Sequence, residues 1–178
     1  MAAISAPIEE IEKTLKQVEG YVIIANRNCP AQSTISGEAE AVKEACELIQ
    51  QQGYDALLLP ISVAFHSKMV APISDKIYAM RNSVSVGQIN FPIQSNVTGD
   101  FYPDDVPFSE SFWDLISRHV ASPVQFMENL DSLYREGART FIELGPGSAL
   151  TGFTQATLTG EPITAGSCML RKGSQVTQ

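Results

Sequence analysis

The chain is poor in positive charge. Twelve lysines and arginines stand against twenty aspartates and glutamates in 178 residues, for a net charge of −8. No basic stripe interrupts that balance, which argues against nucleic acid, whose phosphates such a surface repels. Long apolar runs are missing too. None reaches the roughly 18 residues that a membrane span needs. The opening MAAISAPIEEIEKTLKQ turns acidic before a signal-peptide core could form, which argues against export. Cysteine is scarce and odd in number: Cys29, Cys46 and Cys168, with no C-x-x-C spacing. A zinc site or a disulfide framework is therefore not expected, and a reducing, cytoplasmic setting is. Histidine is scarcer still, with only His66 and His119. The strand-turn-helix signature G-x-S-x-G, on which an α/β scaffold carries a nucleophilic serine, does not occur at all.

What is present suffices for a packed core, since 44% of the residues are hydrophobic and 18% charged. Residues 2–61 read as β-α-β-β-α-β. AAISA is a short apolar strand. In PIEEIEKTLKQVEG, Ile8, Ile11, Leu15 and Val18 fall at helical spacing between Pro7 and Gly20. YVIIANRN and AQSTISGE read as strands. In EAEAVKEACELIQQQG, Ala39, Val42, Ala45, Cys46 and Ile49 share a helical face that Gly53 closes. ALLLPISV is a last strand. This is the ferredoxin-like split βαβ order, with two helices on one face of a four-stranded antiparallel sheet. By itself it says little about chemistry.

Beyond residue 66 the texture changes. Helices are expected over APISDKIYAMRNSV, over SESFWDLISRHV with Ser109 as N-cap, and over SPVQFMENLDSLYREG with Ser122 as cap and Pro123 in its first turn. FPIQSNVTG is a short strand entering a turn. Asn96 begins a glycosylation sequon there, which without a secretory signal reads as a plain turn. TFIEL reads as a buried strand, GPGSALTGFTQAT as a turn into a last helix, and the tail from residue 159 as a polar linker. Two short strands are too few to cover these helices, so this half reads as part of a layered α/β domain whose remaining partners it does not supply.

His66 leaves its strand at the carboxyl end, where α/β folds place their sites. It reads either as a hydrogen-bonded structural residue or as a general base able to take a proton from a hydroxyl nucleophile. His119, placed within a helix, reads as structural. Gly145 to Gly147 read as a tight turn, with an anion cradle at the helix N-terminus as the alternative. Glu143, set in an apolar strand, reads as a partner for a backbone turn; Asp75, Asp114 and Glu128 have no distinguishing placement.

In order and spacing, IANRNCPAQSTISGE, PISVAFHSKMVAP, SNVTG, ASPVQF and FIELGPGSALTGF resemble the malonyl-CoA:acyl carrier protein transacylase family, and most of all the acyltransferase domains of modular polyketide synthases. The resemblance runs from the first strand to about Leu158. It implies an α/β fold with an α+β insert: a ferredoxin-like small subdomain (1–61), then the C-terminal part of an α/β-hydrolase-like large subdomain (62–158), then a post-domain linker (159–178). It implies a serine, upstream of this chain, that takes a malonyl-type unit from a coenzyme A thioester and passes it to the phosphopantetheine thiol of an acyl carrier protein. No bound cofactor or metal is implied. His66 matches the family's general base. His119 stands where the family has an Asn or Gln whose main-chain carbonyl orients that base. Phe65 and Val63 fall in the segment that selects the acyl unit. Phe65 keeps the malonyl-type ring, which would crowd an α-methyl branch, whereas Val63 departs from the malonyl pattern. The partners implied are the carrier protein, the N-terminal half of the domain and neighbouring synthase domains, and the isolated chain is expected to be inactive. A non-catalytic carrier-protein docking or structural module is the alternative.

Overall fold

A computed structural model describes residues 1–87, 90–103 and 110–169. Its first four strands, β1 (Ala2–Ser5), β2 (Val22–Cys29), β3 (Gln32–Gly37) and β4 (Asp55–Leu58), form one sheet in the order β2-β3-β1-β4, every pair antiparallel. Helix α1 (Ile8–Leu15) follows β1, and α2 (Ala39–Gln51) follows β3. This is the βαββαβ order that the sequence predicts. Ile4, Ile11, Ile35, Val42, Ala45 and Ile49 are sealed between helices and sheet, each at most 1% exposed. Burying each of the larger side chains contributes about 1.5–3 kcal/mol. The face of α2 is turned slightly from the one expected: Ala41 is buried and Ala39 is exposed.

Strand β4 ends two residues before Pro60, earlier than expected, because proline has no N–H to continue a ladder. Leu57 and Leu58 are exposed at 67% and 54%. After a one-turn 3₁₀ helix at Lys68–Val70 comes α3 (Ala71–Ala79), which buries none of its residues. A two-residue ladder joins β5 (Gln94–Ser95) to β6 (Asp100–Phe101) around the Asn96 turn, which Gly99 closes with φ 71°. Helix α4 (Glu110–Arg118) follows; the expected cap Ser109 lies outside the described residues.

Helix α5 (Phe126–Arg135) starts later than the sequence suggested. Ser122 and Pro123 are not its cap and first turn but part of an extended loop. The reason is a competing use of the backbone. Val124 N–H donates to the Ala25 carbonyl (2.8 Å), and Val124 accepts from Arg27 N–H (3.1 Å), making a parallel bridge to the edge of β2.

Strand β7 (Thr140–Pro146), α6 (Ala149–Thr157) and β8 (Thr164–Met169) make a parallel β-α-β unit, with Thr140 opposite Thr164 and Glu143 opposite Ser167. This corrects two expectations. The stretch read as linker contains a hydrogen-bonded strand, whose polar composition hid it. The strand read as buried leaves Ile142 65% and Leu144 81% exposed, because α5 and α6 cover only its other face and β8 only one edge.

Candidate functional site

The segment after β4 bends sharply at His66, whose φ of 59° is the only positive value among the described non-glycine residues. A non-glycine residue rarely holds that left-handed conformation unless its surroundings impose it. Here the bend sets both the backbone and the ring of His66 against the loop between α4 and α5. His66 N–H donates to the Val120 carbonyl (2.8 Å). Its ring Nδ1 lies 3.1 Å from the His119 carbonyl and 3.2 Å from that of Ser122. Carbonyl oxygens only accept, so a neutral imidazole in this place carries its proton on Nδ1 and presents a bare lone pair on Nε2. Nε2 has no hydrogen-bond partner among the described residues.

His119 lies just past the end of α4, not within a helix as expected, and its main-chain carbonyl faces His66. The two rings stand 6.1 Å apart and tilted by 54°. Burial of the His119 ring, and then the charge that His66 can carry, hold its pKa below the ordinary histidine value. Phe65 and Val63, just before His66 in the chain, are both exposed (38% and 39%).

Two ties connect this arrangement to the first sheet. The Val124 bridge pins the carbonyl-bearing loop to β2. Lys68, two residues after His66, donates its N–H to the Tyr21 hydroxyl (3.2 Å) and sets its ammonium 4.1 Å over the Tyr21 ring. The sequence offers Ser122 only as a helix cap and gives no sign of a role for Val120 or Tyr21. Their contributions are backbone carbonyls and a long-range contact, which leave no local pattern to read.

At the other end of the unit, the Gly145–Gly147 turn is no anion cradle. Glu143 reaches across it and accepts from Thr151 N–H (2.9 Å), Thr151 Oγ1 (2.8 Å) and Leu150 N–H (3.3 Å), so the first turn of α6 already has its carboxylate. Those bonds, Thr151's first, hold the Glu143 carboxyl below the usual range. Ser167 Oγ ties the turn from β8 by donating to the Gly147 carbonyl (2.6 Å). Cys29 and Cys46 are buried and Cys168 exposed, all three as free thiols. No described helix is long and apolar enough to cross a membrane.

The family model for the acyl transferase domain matches residues 1–170. The chain belongs to that family. Within it, the chain is 34% identical over 151 residues to the malonyl CoA-acyl carrier protein transacylase of Bacillus subtilis, covering 80% of this chain and 46% of that protein. It is 28% identical over 170 residues to a spectinabilin polyketide synthase system protein of Streptomyces orinoci, covering 96% of this chain and 8% of that one. The crystal structure of a malonyl CoA-acyl carrier protein transacylase from Clostridium perfringens superimposes with a TM-score of 0.81 at 32% identity, over 93% of this chain and 51% of that one. This acyl transferase chain thus spans about half the length of the free-standing relatives it matches. The mixed α/β architecture is that of the transacylase fold.

Proposed function

We propose that this chain supplies the general base and the acyl-selecting residues of a transferase that loads a malonyl-type unit from coenzyme A onto an acyl carrier protein. The observation that carries the proposal is the imidazole of His66, oriented through Nδ1 by the main-chain carbonyls of His119 and Ser122, with Nε2 left to act. The nucleophile is a serine outside these residues, since no G-x-S-x-G elbow occurs in the chain. Nε2 takes the proton as the serine oxygen attacks the thioester carbonyl. The carbon–sulfur bond breaks, and the coenzyme A thiolate leaves with that proton. The phosphopantetheine thiol then gives its proton to Nε2 and attacks the acyl-serine ester; the acyl–oxygen bond breaks, and the serine oxygen leaves with the proton from Nε2. Phe65 and Val63 face the acyl group as it enters. Residues 1–61 act as the small subdomain and 62–158 as the C-terminal part of the large one. The N-terminal half and the carrier protein are the required partners, with neighbouring synthase domains where the protein is modular.

The test is reconstitution. The chain alone, given radiolabelled malonyl-CoA, should take up no covalent label. With a segment bearing the serine elbow it should restore transfer, and His66→Ala should lower that transfer by about 10²–10⁴-fold. Labelling of the isolated chain, or full transfer by His66→Ala, would sink the proposal. The second of these results favours a non-catalytic carrier-docking module.

A further inference from the structure

The strain at His66 raises a question of what holds it. The carbonyls of the α4–α5 loop fix the imidazole and the His66 N–H, and Tyr21 holds Lys68, but none of these contacts reaches the residues before His66. Ser67 closes the other side. It is fully buried. Its hydroxyl donates to the Ala64 carbonyl (2.6 Å), a bond that spans Phe65 and His66 and shuts the bend over them. The same oxygen accepts from Met69 N–H (3.3 Å), capping the 3₁₀ turn at Lys68–Val70. One small side chain therefore grips the chain two residues before the base and three residues after it. No other described side chain makes a hydrogen bond to both flanks of His66.

We infer that Ser67 is a positioning residue, whose hydroxyl holds His66 in its left-handed conformation and so keeps the imidazole on the Nδ1–H tautomer with Nε2 presented outward. The inference rests on the proposed role of His66 as base for its meaning in catalysis, but its physical content is the state of the ring. Without the hydroxyl, the Ala64 carbonyl and Met69 N–H lose their partner, and the bend relaxes toward the right-handed backbone that a histidine ordinarily prefers. The ring then leaves the two carbonyls. Threonine keeps the oxygen and suits the extended backbone at residue 67 (φ −138°, ψ 162°), so it should serve in place of serine.

The test is nuclear magnetic resonance of the full 178-residue chain with ¹⁵N-labelled histidine, at a pH where imidazole is neutral. Two-bond proton–nitrogen correlations report which ring nitrogen carries the proton. Wild type and Ser67→Thr should show His66 protonated on Nδ1. Ser67→Ala should shift the ring largely to the Nε2–H tautomer while its circular dichroism stays that of the folded chain. An unchanged tautomer in folded Ser67→Ala, or a Ser67→Thr as altered as the alanine variant, would overturn the inference. If Ser67→Ala fails to fold, the wild-type hydroxyl decides: its proton should be protected from solvent exchange, and free exchange overturns the inference. The reconstituted transfer assay separates this from the base role. Loss of transfer in His66→Ala with no tautomer change in Ser67→Ala removes the positioning role alone. A tautomer change with transfer intact in His66→Ala supports positioning while removing the base.

Discussion

An imidazole becomes a directed base when one nitrogen is committed elsewhere. At His66 the commitment is made to backbone carbonyls, which mutation cannot remove, so the side chain at His119 contributes little to it. That explains how a histidine can stand where the family pattern has an amide. Phe65, one residue before His66, is exposed. Under the proposed function, its replacement by alanine would open room for an α-methyl branch. In the reconstituted domain, Phe65→Ala should raise the kcat/KM ratio of methylmalonyl to malonyl substrate by about 10–200-fold, the worth of one methyl group in an apolar pocket. Competition between the two thioesters measures it, and an unchanged ratio removes Phe65 as a selector. The motif around His66 is legible in sequence from its residue types alone; the strand end expected there is not found, since β4 stops at Leu58 and His66 lies on the irregular segment that follows. The orientation of the ring is not legible, because it depends on carbonyls more than fifty residues away and on a φ that side-chain identity does not encode.

Between elements, single polar groups fix the joints. Glu143 joins β7 to the first turn of α6 through three hydrogen bonds that only the carboxylate accepts fully. Its pKa is lowered in the folded chain, so the unfolded chain binds the proton first as acid is added. The stabilisation is therefore complete above the ordinary glutamate pKa and is lost as pH falls through the lowered folded value. Urea unfolding should show wild type more stable than Glu143→Gln at pH 7, with the gap closing as pH drops below about 4. A gap that does not narrow with acid would show that the carboxylate charge is not the stabilising feature. The reading of Glu143 as a turn partner came from its odd placement in an apolar strand, and the structure agrees. The start of α5 and the strand at Thr164–Met169 went the other way. Ser122-Pro123 has the chemistry of a helix start, yet the bridge from Val124 to β2 claims that backbone. TAGSCM lacks the β-branched run of a central strand and pairs only because β7 lies beside it.

At the scale of the molecule, two halves of unequal completeness share one chain. The first sheet and its helices close a core whose main residues are almost wholly hidden, and the 2.0 and 3.6 periodicities of the sequence predict it. The second half has helices with little to lie on, and Ile142 and Leu144 project from β7 uncovered. Leu144→Lys should change the unfolding free energy of the chain by no more than about 0.5 kcal/mol, as expected for an open surface position. It should also weaken recovery of transfer on adding the complementary segment. Titration of the two pieces measures the second effect, and a loss of several kcal/mol in the first would mean that the face is covered within this chain.

The Val124 bridge has a further consequence for self-association. It takes up part of the outer edge of β2 at Asn26, whereas the outer edge of β4 carries no paired strand among the described residues. A foreign strand therefore adds more readily at the β4 edge. Two copies meeting there, β4 against β4, would use up both of these edges. Through this sheet pairing is favoured over growth into ribbons, because a further strand would have to displace the Val124 bridge.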